Sequence, residues 1–154
     1  MATKSLGCFV IDSSVIIKWF CNEEDTSIAL LLREKFISGE IELIAPDLVL
    51  YEVANALRYH NTITESDVKD AVESIAKLGI TIVVPTKEVV DAAISMAKQY
   101  DITVYDGCFV ALALLLGYTL ITADEKLYTK LKSSSLVTLL RELKENPEKG
   151  LSPH

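Results

Sequence analysis

Four short β-type runs set the strongest constraint on this chain: GCFVI (7–11), IELIA (41–45), ITIVV (80–84) and YTLIT (118–122). They read as continuous apolar strands rather than alternating ones, and a weaker fifth run, LVTLL, follows at 136–140. Helical patterns lie between them. SSVIIKWF follows the first run, with Asp12 or Ser13 placed to cap it. EDTSIALLLREKFIS stops at Gly39. DLVLYEVANALRYH starts after Pro46 with Asp47 as its cap. TESDVKDAVESIAKL opens on Thr64 with Asp67 three residues on, close to a capping box, and stops at Gly79. TKEVVDAAISMAKQY follows Pro85, and DEKLYTKLK follows the fourth strand. Buried strands alternating with helices pack as a parallel sheet covered on both faces. The expected fold class is α/β: a three-layer α/β/α arrangement around a central, mainly parallel sheet.

The stretch VYDGCFVALALLLGYTLITADE (104–125) carries no charge over the seventeen residues between Asp106 and Asp124. A membrane-spanning helix needs about 20 apolar residues. Here Gly117, Tyr118 and Thr119 interrupt the run, and the pattern changes from Ala/Leu-rich to Thr/Ile-rich. The reading is a buried helix over 106–116, apolar all round, then a turn and an interior or near-interior strand, with no membrane span. The opening MATKSLGCFVID is too short in apolar residues for a secretory leader, since Asp12 interrupts it.

A length of 154 residues suits one domain, and half of them are hydrophobic, enough for a sizeable core. That domain is expected over 1–143, with a flexible tail over 144–154, where Pro, Gly and charge replace apolar periodicity. Cys8, Cys21 and Cys108 are an odd number and read as reduced thiols, which implies a cytoplasmic location. His60 and His154 stand alone, so no zinc-ligand spacing exists. A net charge of −7 argues against binding nucleic acid through a basic surface. Carboxylates that hold divalent cations give an acidic protein another route to phosphate.

Four acids fall where such a route needs them. Asp12 and Asp124 follow strands, and ligands of open parallel sheets bind outside the carboxyl ends of strands. Asp106 opens the uncharged helix. Glu52 lies at the edge of the apolar arc formed by Val49, Leu50, Val53, Ala54, Ala56 and Leu57, with Asn55 on a neighbouring position. Taken singly, each aspartate reads as a helix cap, and Glu52 as a border residue reaching solvent. Together, with no matched cationic cluster, four acids on one rim repel one another unless a divalent cation neutralises them. Oxygen donors select Mg²⁺ or Mn²⁺. Lys18, Arg58, Lys126 and Lys130 each follow one of these acids by six residues or fewer and are candidates to guide a nucleic-acid backbone.

VIDSSVIIKWF, PDLVLYEVANALRY and VYDGCFVALALLLGYTLITADEKL together resemble the PIN domain, in particular its VapC-type toxin ribonucleases. The shared pattern is an Asp-Ser pair after the first strand and a Glu in the helix after a Pro-containing turn. A Tyr-Asp opening an Ala/Leu helix and a Thr-x-Asp after the next strand complete it, in that order, over about residues 7–143. The resemblance implies a Mg²⁺-dependent endoribonuclease cleaving RNA phosphodiester bonds, the toxin of a toxin–antitoxin pair. It implies Asp12, Glu52, Asp106 and Asp124 as catalytic metal ligands, with Ser13, Asn55 and Thr122 as supporting groups. It also implies a homodimer and a cognate antitoxin. A receiver-type phosphoacceptor would need an Asp ending the middle strand, and ITIVVPTK has none. A haloacid-type phosphatase would need Asp-x-Asp where this chain has Asp12-Ser13-Ser14. The remaining alternative is a catalytically silent member of the same class that binds RNA or protein.

Overall fold

The computed structural model describes residues 7–145. Five strands, β1 (Gly7–Ile11), β2 (Ile41–Pro46), β3 (Thr81–Val83), β4 (Thr119–Thr122) and β5 (Val137–Leu139), form one sheet in the order β3-β2-β1-β4-β5. Every neighbouring pair is parallel, so the sheet is wholly rather than mainly parallel. The helices are α1 (Ser13–Ile17), α2 (Thr26–Ile37), α3 (Leu48–Arg58), α4 (Glu65–Leu78), α5 (Lys87–Tyr100), α6 (Val104–Leu116), α7 (Glu125–Leu131) and α8 (Glu142–Glu145). They complete the three-layer α/β/α fold, because parallel strands are joined by crossovers that lie on the sheet faces.

Strand burial follows position. All four residues of β4 are buried between β1 and β5, whereas edge strand β3 is exposed or half-buried throughout. The ITIVV run therefore yields a strand of three residues, and Val84 beyond it is exposed. The chain steps outward from β1 to β2 to β3, then returns to the other side of β1 for β4. That reversal makes a topological switch point between β1 and β4, where the crevice of an open parallel sheet lies.

The uncharged helix departs from expectation at both ends. It begins at Val104, not at 106, because Thr103 is the cap and its hydroxyl accepts the Asp106 N–H at 3.0 Å. It is not buried all round: Phe109 through Ala113 are buried, but Leu114, Leu115 and Leu116 are 46, 42 and 43 % exposed. Gly117, at φ +69°, ends the helix in the left-handed region that glycine enters without cost. At its other end α6 packs closely on α5. A Cβ on Gly107 would lie 2.5 Å from the Ala93 carbonyl oxygen. Among the described residues no single helix is long and apolar enough to cross a membrane.

The box at Thr64 forms reciprocally, with Asp67 N–H on the Thr64 hydroxyl at 3.1 Å and Thr64 N–H on the Asp67 carboxylate at 2.9 Å. Asp47 precedes α3 without capping it by its side chain. The short helix α8 was not legible in the sequence. Past residue 145, the expected tail (144–154) lies outside the described residues.

Candidate active site

Strands β1 and β4 end side by side, with Ile11 opposite Ile121 and the Asp12 N–H donating to the Ile121 carbonyl at 3.0 Å. This register carries Asp12 directly into the switch point. Asp12 is only 4 % exposed, and one oxygen of its carboxylate, Oδ2, accepts the hydroxyls of Ser14 and Thr122, each at 2.7 Å. Those hydroxyls are themselves anchored to the loop after β4. Ser14 Oγ accepts the Ala123 N–H at 2.9 Å, and Thr122 Oγ1 accepts the Asp124 N–H at 3.1 Å. Two hydroxyls thus stitch the two strand ends together around a buried carboxylate. Burial raises the Asp12 pKa above the ordinary aspartate range, the two hydroxyl donors oppose the rise, and the charges of Asp106 and Asp124 add to it.

Glu52 is half-buried on α3. Its Oε2 accepts the Ser13 hydroxyl at 3.4 Å, and its buried Oε1 has no hydrogen-bond partner among the described residues. Burial first, then the charges of Asp12 and Asp106, push its pKa up to about 7. Asp106 is half-buried in the first turn of α6. Burial and the Asp124 charge raise its pKa, while the Thr103 hydrogen bond and the Lys130 ammonium pull it down. Asp124 is exposed, and its Oδ1 accepts the Lys126 and Leu127 N–H groups at 3.0 and 3.1 Å, capping α7.

The capping alternative therefore separates the three aspartates. Asp124 is a working cap. Asp12 stands in the cap position of α1 but makes no side-chain cap bond. Asp106 is not a cap at all, since Thr103 fills that role. Like charges nevertheless crowd the β1/β4 crevice: Asp106 and Asp124 act on Asp12, Asp12 and Asp106 on Glu52, and Asp124 on Asp106. Such crowding costs free energy unless a cation offsets it.

Among the described residues no three of these side chains close around a point as a finished ligand set. Mg²⁺ does not require one, because it keeps several waters and takes one or two carboxylates together with substrate phosphates. An all-oxygen donor set with an orphaned, buried Glu52 oxygen fits a hard divalent cation of that kind.

The supporting and basic candidates divide. Ser13 and Thr122 are buried in the network. Asn55 is exposed and makes no hydrogen bond among the described residues, and Ala56, expected on the apolar arc, is exposed too. Lys130 faces Asp106 and also donates to the Asp101 carbonyl. Lys18 is paired with Glu23 at 3.2 Å. Arg58 stacks over the Tyr59 ring at 4.0 Å, and Lys126 is exposed and joins the site only through its backbone N–H. Ser14 and Thr103 escaped the sequence reading. Thr103 stands three residues before Asp106, the spacing of a capping box, and that signal was there to be read. Ser14 had no such signal beyond being a hydroxyl two residues past Asp12.

The family model of the PIN domain matches residues 9–131. Ribonuclease VapC3 of Pyrobaculum aerophilum is 33 % identical over 125 residues, covering 79 % of this chain and 92 % of that protein. Among solved structures, PAE2754 from Pyrobaculum aerophilum superposes with a TM-score of 0.66 at 18 % identity, over 89 % of this chain and 86 % of that one. A toxin–antitoxin complex from Klebsiella pneumoniae gives 0.65 at 13 % identity, over 85 and 96 %.

Proposed function

Since the chain belongs to the PIN domain family, we propose that it is a divalent-metal-dependent endoribonuclease and the toxin of a toxin–antitoxin pair. The observation that carries the reading is the buried Glu52 oxygen left unpartnered among the described residues, on a carboxylate crowded by the charges of Asp12 and Asp106. The ribonuclease relative at 33 % identity supports the reaction class, and the structural likeness to a toxin–antitoxin complex supports a partner protein.

Asp12, Asp106 and Asp124 would hold Mg²⁺ or Mn²⁺, directly or through water, and Glu52 would complete the set or position the attacking water. The bound cation supplies a more acidic water and neutralises charge on the phosphate. The rest is done by the chain. Ser14 and Thr122 fix the Asp12 carboxylate from one side, so its remaining oxygen is presented without rotamer freedom. Ser13 orients Glu52. Glu52, with a pKa about 7, is the acid best matched to exchange a proton with water near neutral pH. Lys130, beside Asp106, is placed to meet a substrate phosphate. Lys18, Arg58 and Lys126 guide the strand further out. The family also suggests a homodimer, and Cys21 and Cys108, which form no disulfide among the described residues, suit a reducing cytoplasm. An acidic crevice is a natural receptor for a basic side chain of the antitoxin.

The test is cleavage of an end-labelled RNA by purified protein with Mg²⁺, with EDTA, and by Asp12→Asn and Asp106→Asn. Metal-dependent internal cuts, lost in both variants, are expected. RNA binding without cutting in any divalent metal would establish the silent, binding-only class instead.

A further inference from the structure

A cavity of about 320 Å³ adjoins the acid site. Its volume lies at the low end of small-molecule clefts, about 300–1,000 Å³. Ala123, between Thr122 and Asp124, lines it, and so does Glu125 on the other side of Asp124. The loop that carries a site acid is therefore also a wall of this cavity. The other charged walls come from separate segments: Lys18 after α1, Glu24 and Asp25 before α2, and Arg141 after β5.

The cations of the cavity are already paired. Lys18 meets Glu23 at 3.2 Å, and Arg141 meets Glu125. Asp25 differs. It is half-buried and stands in the cap position of α2, yet its carboxylate makes no cap bond and has no other partner among the described residues. Its backbone lies at φ +64°, the left-handed region that a non-glycine residue enters at a cost. A carboxylate is thus fixed in the cavity wall with its acceptors unused.

The mixture of charges selects the ligand. Among the described residues no set of acids closes around a point as metal ligands, and an ammonium and a guanidinium in the same cavity repel a cation. Three carboxylates in the lining repel a phosphate in turn. A neutral planar ligand with donors on one edge and acceptors on another suits both signs, and nucleobases are such ligands. A carboxylate only accepts, and it takes two donors side by side. Of the four RNA bases, guanine alone sets a ring N–H beside an amino group, at N1 and N2. Its O6 and N7 are the acceptor pair that Arg takes bidentately.

We propose that this cavity holds a guanine base of the substrate strand beside the cleaved phosphate, with Asp25 on its N1 and N2 donors and Arg141 on O6 and N7. Glu125 orients Arg141 through their ion pair. The inference rests on the ribonuclease reading and adds base identity to it. Because the wall of the cavity also carries Asp124, a base seated here registers the neighbouring phosphate on the acids.

The experiment uses fluorescein-labelled oligouridine with one variable central nucleotide: guanosine, adenosine, cytidine, inosine or 7-deazaguanosine, with Mg²⁺ present. Anisotropy is read on Asp106→Asn protein, so that no strand is cut, and on the same protein carrying Asp25→Asn or Arg141→Gln. Asparagine tolerates the left-handed conformation, so Asp25→Asn keeps the backbone. Guanosine should bind about 5- to 150-fold more tightly than adenosine or cytidine. Asp25→Asn should erase that preference and leave the affinity for adenosine unchanged. Inosine, without the N2 amino group, should bind more weakly than guanosine to the parent but not to Asp25→Asn. The same relation is expected between 7-deazaguanosine, without the N7 acceptor, and Arg141→Gln. Equal affinity for all five strands would overturn the proposal. So would a guanosine preference that survives both substitutions. A uniform loss of affinity across the strands in Asp25→Asn would make Asp25 structural, and would overturn it too. Cleavage of the same strands by protein with all four acids is scored separately. Guanosine-selective binding without cleavage removes the nuclease and keeps the guanine site, and cleavage with binding indifferent to the central base does the reverse.

Discussion

Asp12 occupies the cap position of α1 without serving as its cap. At the end of a strand and the start of a helix, an aspartate is ordinarily a cap, yet its carboxylate caps nothing and takes two hydroxyls instead. The Thr122 hydroxyl both donates to Asp12 and receives the Asp124 N–H. Thr122→Val keeps the shape and removes both bonds from a fully buried spot. It should cost about 1–3 kcal/mol by denaturant unfolding, and a midpoint unchanged from wild type would show the stitch to be idle. Charge removal has the opposite sign. Asp106→Asn, and Asp12→Asn with its amide oxygen still facing the hydroxyls, relieve repulsion, so metal-free midpoints should hold or rise while cleavage is lost. A sharp fall in both would return these residues to a structural role. The pH dependence follows from the same crowding. Glu52 is raised from 4.5 to about 7 in the folded state, so between those values the folded protein binds the extra proton. Metal-free stability should therefore fall as pH rises through that window and level off above it. Glu52→Gln should flatten the slope, as read from unfolding midpoints between pH 4.5 and 8. Which residues carry acid was legible from strand ends and helix starts. Which hydroxyl serves which acid was not, because Ser14 reaches Asp12 through a turn whose geometry only the folded register of β1 against β4 defines.

Whole elements were the most legible, and their boundaries failed where tertiary contact overrides pattern. The five strands stand where the apolar runs put them, but ITIVV is trimmed at both ends because an edge strand has one neighbour to pair with. In α6 the run of leucines reads as one buried block, whereas burial stops at Ala113. The difference is testable within a few residues. Leu112→Ala, at 3 % exposure, should cost about 2–5 kcal/mol through the cavity it leaves. Leu115→Ala should stay within about 0.5 kcal/mol. Equal losses would mean that the exposed leucines are covered in solution. What α6 needs from its sequence is at the other end. Gly107 lets the first turn lie against the Ala93 carbonyl, and a methyl group there would meet that oxygen at 2.5 Å. Backbone cannot yield as a flexible side chain can, so Gly107→Ala should push away the turn that carries Asp106. A stability loss of about 1–3 kcal/mol should come with a larger fall in cleavage and a raised Mg²⁺ midpoint. Wild-type Mg²⁺ dependence in a destabilised Gly107→Ala would separate the mount from the site.

At the scale of the molecule, strand order is the part the sequence withholds. Parallel strands with right-handed crossovers can be ordered in several ways, and nothing in the runs themselves says that the chain reverses after β3. Once β4 returns beside β1, the consequence is mechanical. Acids separated by more than a hundred positions meet at one crevice, and the fold carries their repulsion as a standing cost. A cation that binds only the folded crevice offsets that cost by mass action, by about 2.7 kcal/mol at a hundred times its dissociation constant. Adding Mg²⁺ should therefore raise the thermal midpoint of the wild-type protein in the absence of RNA. Because the cation needs Glu52 ionised, and Glu52 titrates at about 7, the rise should be larger at pH 8 than at pH 6, opposite in sense to the metal-free trend. Asp12→Asn and Asp106→Asn begin at equal or higher midpoints and should respond least. Monovalent salt at matched ionic strength controls for general screening of the −7 charge. If monovalent salt reproduces the full shift, or the two variants respond to Mg²⁺ as wild type does, the crowded acids are not a cation site, and the crevice must owe its charge to something other than metal.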